Sequence, residues 1–152
     1  MAVEIRPAVP ADGLALAANL RDQDRAEIAA YGWVHDVEAE MVANIQRSAL
    51  CWTAEDEGRL VAVFGVAPMD GHPRWGSPWM LGTPLLAQHS RVLVRVCPGY
   101  IERMQVDFPY LFNYVHAGNT RSIGWLKRLG FTVEPATRYG TAGAMFHPFF
   151  KV

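Results

Sequence analysis

The stretch NTRSIGWLKRLGF, residues 119–131, decides the fold. Asn119 or Thr120 can cap a helix whose apolar residues Ile123, Leu126 and Leu129 face inward. Gly130 then offers the left-handed position that closes a helix before the chain extends again at Phe131. The preceding segment, YLFNYVHA (110–117), and the following one, FTVEP (131–135), both read as strands. These structural needs account for much of the stretch.

Working outward, VEI (3–5) is a short strand that PAVPADG (7–13) turns into a helix opened by Asp12. Leu14, Ala17 and Ala18 keep helical spacing there, and Gly32 ends the helical region. Asp36 caps a further helix in which Val37, Met41 and Ile45 form an i, i+4, i+8 stripe toward the core. ALCWTA (49–54), EDEG (55–58) and RLVAVFGVA (59–67) read as strand, turn and strand. PMDGHPRWGSP (68–78), with three prolines and two glycines, reads as the longest loop, holding Asp70, His72, Arg74 and Trp75. It either covers a cleft or meets a partner. WMLGT (79–83) is the next strand. HSRVLVRVCPGYIERMQ (89–105) is a helix that Ser90 caps and Pro98 kinks or splits, and a last strand lies around AMFHPFF (144–150). The order makes a mixed α+β domain with a largely antiparallel front half.

The 152 residues, 51% of them apolar, suffice for one domain with a real core. A formal net charge of −1 argues against nucleic acid or anionic lipid as a partner. No apolar run is long enough to span a bilayer and the N-terminus lacks a signal-like pattern, so the expected place is the cytoplasm. Cys51 and Cys97 lie in apolar neighbourhoods and read as buried reduced thiols. The histidines are scattered with no helical ligand spacing, and no metal is expected. Met41, Trp52, Trp79 and Trp125 read as packing residues.

The strand before the opening stretch, the Gly-Phe after it, and the order of elements along nearly the whole chain resemble the GNAT superfamily of N-acetyltransferases. The match in residues runs over 111–133. PW-LGT, here Pro78 to Thr83, and NT-SI-WL--LGF, here Asn119 to Phe131, also resemble a narrower group, the internal virion proteins of T7-type phages. This resemblance implies a single GNAT-like domain with a central, mostly antiparallel sheet flanked by helices. It implies acetyl-CoA held in a V-shaped gap between the strand near 79–83 and the strand near 110–116. Leu81, Gly82 and Thr83 would then face the pantetheine arm, and Gln88, His89, Ser90, Arg91 and Val92 would cradle the phosphates at a helix start. Asn119 would hold a strand end or the cofactor arm, and the acceptor would be an amine on a small molecule or a protein.

The chain departs from the family pattern in three places. The Gln/Arg-x-x-Gly-x-Gly/Ala loop is replaced by PLLAQHSRVLV (84–94), which has no glycine, though Gln88, Ser90 and Arg91 offer donors and a charge. The tyrosine expected seven residues after the motif asparagine is Leu126, and WMLGT holds no carboxylate to act as base. His116 and Tyr114 are the substitutes for proton transfer, set against the simpler reading of His116 as a strand-end residue. Glu38 and Glu40 lie in the helix that often walls the acceptor cleft and also suit a first helical turn.

Three functions fit. One is an acyl-CoA-dependent N-acetyltransferase of phage or prophage origin. The second is a catalytically degenerate protein of the same fold that serves phage morphogenesis or the virion and binds a phage protein through 68–79. The third is a module that binds another small ligand in the same cleft.

Overall fold

In the sequence RLVAVFGVAPM, residues Val61 to Val66 are all buried, and burial on both faces makes this strand, β3 (Arg59–Met69), a central one. The computed structural model describes residues 3–152. Around β3 the elements run β1 (Glu4–Pro7), α1 (Pro10–Ala18), α2 (Asp22–Tyr31), α3 (Val37–Arg47), β2 (Leu50–Asp56), then β4 (His72–Gly82) and α4 (Leu86–Asp107). The chain continues as β5 (Tyr110–His116), α5 (Thr120–Arg128), β6 (Thr132–Val133), β7 (Thr137–Tyr139) and β8 (Ala144–Lys151). The sheet order is β1-β2-β3-β4-β5-β8-β6, with β7 also on β8. Every pairing is antiparallel except β4 with β5. The fold is therefore the mixed α+β architecture expected. Among the described residues no helix is long and apolar enough to cross a membrane.

Two apolar clusters sandwich the sheet. Leu16, Ile28, Met41, Ile45, Val63 and Leu81 join α1, α2 and α3 to one side. Trp52, Phe64, Leu93, Ile101, Leu111 and Phe149 join α4 to the other, with α5 packed against them through Ile123 and Leu126. Asp36 caps α3 by accepting from Ala39 N–H, and Met41 and Ile45 of its stripe are buried. Trp52 is buried as expected, while Trp79 and Trp125 pack at the edges of the two clusters. Cys97 is buried and Cys51 only partly so; both are free thiols whose pKa burial raises, to about 11 and about 12.

Several expectations are corrected. The segment 68–78 is no loop but the two arms of a β3–β4 hairpin, with Met69 paired to His72 across Asp70-Gly71. Asp-Gly is a preferred two-residue hairpin turn, and Gly71 takes φ +76°. The prolines are tolerated because Pro68 lies beyond the last β2 pair, Leu50 with Val66, and Pro78 beyond the last β5 pair, Gly76 with Leu111. The first helical region breaks into α1 and α2 at residues 19–21. Asp12 does not open α1 but sits in its first turn, where it accepts from Val9 N–H, Thr53 Oγ1 and both Nη groups of Arg6. The buried stripe is Gly13, Leu16, Ala17 and Leu20; Leu14 and Ala18 are exposed, because Gly13 lies against the backbone of Met41 and Val42. Helix α4 begins before Ser90 and runs through Pro98, which is exposed, so water can replace the missing hydrogen bond.

One helix ties the open side of the sheet together. Arg21, which precedes α2, donates its backbone N–H to Gly82 C=O, and Asp24 Oδ2 accepts from Gly82 N–H at 2.8 Å. Arg21 holds Asp24 in a two-pronged ion pair and reaches Ser122 Oγ on α5 at 3.1 Å. One turn on, Glu27 Oε1 accepts from His116 N–H at 2.7 Å and from Asn119 Nδ2 at 3.5 Å. The end of β4, the end of β5 and the start of α5 thus all bond to α2. Asp24 is 1% exposed, so Asp24→Ala leaves a cation and a backbone N–H without their partner and is expected to cost about 3 to 5 kcal/mol. Urea denaturation of wild type, Asp24→Ala and Asp24→Asn checks this; Asn keeps an acceptor for Gly82 and should lose less.

Candidate functional site

The site begins where a ladder stops. β4 and β5 pair only through Trp75 with Tyr110 and Gly76 with Leu111, and then diverge. Gly76 sits at the closed end, where a Cβ would lie 2.6 Å from Val66 Cγ2 and 2.8 Å from Phe108 Cγ. Beyond it, Asn113 Nδ2 spans the gap to Pro78 C=O at 2.8 Å. Strand alternation assigns the rest. Thr83 N–H bonds back to β3, whereas Pro78 C=O and both peptide groups of Gly82 point toward the gap. Met80, midway between Pro78 and Gly82, therefore presents its N–H and C=O to the gap. The pairing edge expected at Leu81, Gly82 and Thr83 lies at Met80 instead. Gly82 is taken by α2, Leu81 turns its peptide toward β3 while its buried side chain lines the cavity in the gap, and Thr83 Oγ1 bonds Leu60 C=O at 2.8 Å.

A cavity of about 370 Å³ passes through this gap. Towards α4 and α5 its wall is apolar, with Cys97, Ile101, Trp125 and Leu126. Trp125 Nε1 is buried without a hydrogen-bond partner, an isolation that costs about 1 to 3 kcal/mol. Towards α2 and α3 the wall carries Glu27, Tyr31, Trp33, Glu40, Tyr114 and Tyr139. Of the two proton-transfer candidates, Tyr114 lines the cavity and stacks on Tyr139 at 3.8 Å. His116 is not in the lining; its ring tilts against Phe146 and its backbone N–H serves Glu27. Of Glu38 and Glu40, only Glu40 reaches the cavity.

Glu27 is the candidate that motif reasoning missed. Burial raises its carboxyl to about 7, helped by the nearby Asp24 charge and opposed by the His116 N–H, by Asn119 and by Arg21. Both of its hydrogen bonds fall on Oε1, while the side chain lines the cavity. A signal was present in the sequence. Asp24, Glu27, Ile28 and Tyr31 share one helical stripe, and two acids on an otherwise inward-facing stripe ask for partners.

The start of α4 makes a poor backbone anion cradle. Leu85 N–H is taken by Thr83 Oγ1, Leu86 N–H by Thr83 C=O and Gln88 N–H by Leu85 C=O. The turn is tight, since a Cβ on Gly82 would meet Leu86 Cδ2 at 2.5 Å. Ser90 is no cap; its Oγ donates to Ala87 C=O. His89 points inward, fully buried, with Nε2 3.2 Å from Asp56 Oδ2 and off the line of a hydrogen bond. Side-chain donors lie farther along the helix. Ser90, Arg91 and Arg95 of α4 and Arg128 of α5 line a groove of about 290 Å³ to which Gln88 and Val92 do not contribute. Asn119 is buried, accepts from Ser122 N–H and ties to Glu27, so it holds a strand end.

No protein-family model and no curated protein sequence matches the chain. Solved structures do. A phosphinothricin acetyltransferase of the GNAT superfamily from Sinorhizobium meliloti, in complex with AcCoA, superimposes with a TM-score of 0.76 at 16% identity, over 99% of this chain and 88% of that one. A ribosomal-protein-alanine N-acetyltransferase from Brucella melitensis gives 0.71 at 20% identity, over 98% and 99%. A GNAT-family acetyltransferase from Streptococcus pneumoniae gives 0.68 at 16% identity, over 99% and 98%. Diverging parallel strands, helices on both faces and agreement over whole chains lead to one conclusion: this chain has the fold of the GNAT acetyltransferases.

Proposed function

We propose that the protein is an acyl-CoA-dependent N-acetyltransferase in which Glu27 is the base for the acceptor amine. The observation that carries this is a buried carboxylate, raised to about 7, on the wall of a cavity that passes through the β4–β5 gap. Acetyl-CoA, which the Sinorhizobium meliloti enzyme was crystallised with, supplies an activated acetyl thioester. The residues present suit it. The Met80 peptide would pair with the pantetheine arm. Arg91, Arg95 and Arg128 would hold the phosphates in place of a glycine-rich loop. Glu27 accepts the proton that the ammonium gives up, and water is kept from it by α2 and the apolar wall. The Tyr114 hydroxyl, on the cavity wall, returns a proton to the leaving thiolate, the place of Leu126 offering none.

A second reading, a non-catalytic protein of phage assembly, draws on the bonds by which α2 closes the strand ends at Gly82 and His116 and on the resemblance to phage virion proteins. Acetyl-CoA titration followed by backbone amide shifts separates the two. The enzyme reading requires saturable shifts around Met80 and Ser90, and the assembly reading requires none.

Two further outcomes test the residue roles. Because the folded pKa of Glu27 lies above its unfolded value of 4.5, its ionisation opposes folding. No such cost exists below about pH 4.5; it grows between there and about pH 7 and is constant above, reaching about 3 kcal/mol. Glu27→Gln, which keeps the Oε1 acceptor, should therefore gain stability relative to wild type as pH rises from 4.5 to 7. The same variant should lose about 10² to 10⁴-fold in kcat/KM, and wild-type activity should fall as pH drops below about 7. Denaturant melts across pH and initial-rate measurements check both. Arg95→Glu with Arg128→Glu should raise the acetyl-CoA Kd by at least about tenfold with little change in melting, measured by calorimetric titration.

A further inference from the structure

On the α2–α3 side, the cavity wall is built largely of aromatic rings. Trp33 stacks on Tyr31 with centroids 5.0 Å apart at 9°, and its ring meets Tyr139 edge-on at 5.6 Å and 81°. Tyr139 in turn lies flat on Tyr114 at 3.8 Å. Held on two sides in this way, Trp33 is nonetheless 43% exposed, so an indole surface is fixed at the rim and left open. A rigid, exposed aromatic platform beside a cavity is a costly feature unless something lies on it.

The charges of the wall decide what that is. Arg21 is engaged by Asp24, and Arg47 is engaged by Glu40 and Asn44. These pairs cancel, and Glu27 is the carboxylate of the lining left without a cation. A ligand carboxylate would find no free arginine on this side, whereas an ammonium finds Glu27 and the faces of the rings. Glu27 and Tyr31 are four apart on α2 and so lie one helical turn from each other, with Trp33 stacked on Tyr31. Carboxylate and platform are thus in line along one wall. A polypeptide N-terminus would also need backbone partners, but the Gly82 peptide at the end of β4 is already bonded to Arg21 and Asp24.

We propose that the acceptor is a small primary amine carried on an aromatic ring by a short alkyl chain, its ring lying on the exposed Trp33 and its ammonium directed at Glu27. This names the substrate class for the acetyltransferase function above and rests on that reading, but binding of the amine needs no coenzyme and is tested without it.

The experiment is a calorimetric or NMR titration of the protein with 2-phenylethylamine, hexylamine, 2-phenylethanol and an alanine-initiated pentapeptide. Phenylethylamine should bind at least about tenfold more tightly than hexylamine, which lacks the ring, and than phenylethanol, which lacks the charge. Trp33→Leu should remove the preference over hexylamine, and Glu27→Gln the preference over phenylethanol. Both variants should keep the wild-type circular dichroism and the affinity for acetyl-CoA. Equal binding of phenylethylamine and hexylamine, a ring preference that survives Trp33→Leu, or tighter binding of the pentapeptide would overturn the proposal. If the ring and charge preferences hold but acetyl-CoA does not bind, the aromatic amine site stands and the acetyltransferase reading fails. If acetyl-CoA binds and the preferences are absent, the reverse is true.

Discussion

Two parallel strands that separate leave a row of backbone donors and acceptors with nothing to bond, and the protein answers this with the side chains of Asp24, Glu27 and Asn113 and the main-chain N–H of Arg21. Glu27 and Asp24 satisfy peptide groups at the ends of β5 and β4, and Arg21 carries the connection on to α5. The opening between β4 and β5 is stable because it is capped by a helix. The same capping decides which backbone groups stay free: Gly82 is closed and Met80 is open. It also places one carboxylate out of water, and the properties of Glu27 follow from that burial.

The start of α4 departs from the glycine-loop pattern. Glycines let a backbone approach an anion closely and leave its N–H groups free. Here Thr83 and Leu85 take the N–H groups of Leu85, Leu86 and Gln88, and positive charge gathers farther out on Arg91, Arg95 and Arg128. Guanidinium groups carry charge and fixed donors on long side chains. A groove built in this way spans two helices, so α5 takes part in it through Arg128 as well as through its cap at Asn119.

Local signals were legible along much of the chain. Gly130 takes φ +90°, and Phe131 N–H closes back on Leu126 C=O, which is the helix stop that the Leu-Gly-Phe ending announces. Asp36 and the Met41–Ile45 stripe acted as read. The segment 68–78 was misread because its prolines were weighed by number rather than by position. A proline breaks a ladder only where its N–H would have had a partner, and Pro68 and Pro78 both fall beyond a pairing's end. The Asp-Gly turn was the stronger signal there.

The sequence by itself determined most of the order of the elements, the stop of α2 at Gly32, the cap of α3 at Asp36, both ends of α5 and the general family likeness, because caps, turns and apolar periodicity act over a few residues. Only the tertiary structure decided the site. Which strand residue faces the gap depends on alternation counted from pairing partners, and that moved the open peptide from Gly82 to Met80. Whether a histidine meets a ligand depends on which way its helix or strand presents it, and that buried His89 of α4 against Asp56 and set the ring of His116, at the end of β5, against Phe146 outside the cavity lining. Glu27 is 89 residues from His116 in the chain and 2.7 Å from it in space. No local rule connects positions so far apart, and burial, which makes that carboxylate useful, exists only once the chain has folded.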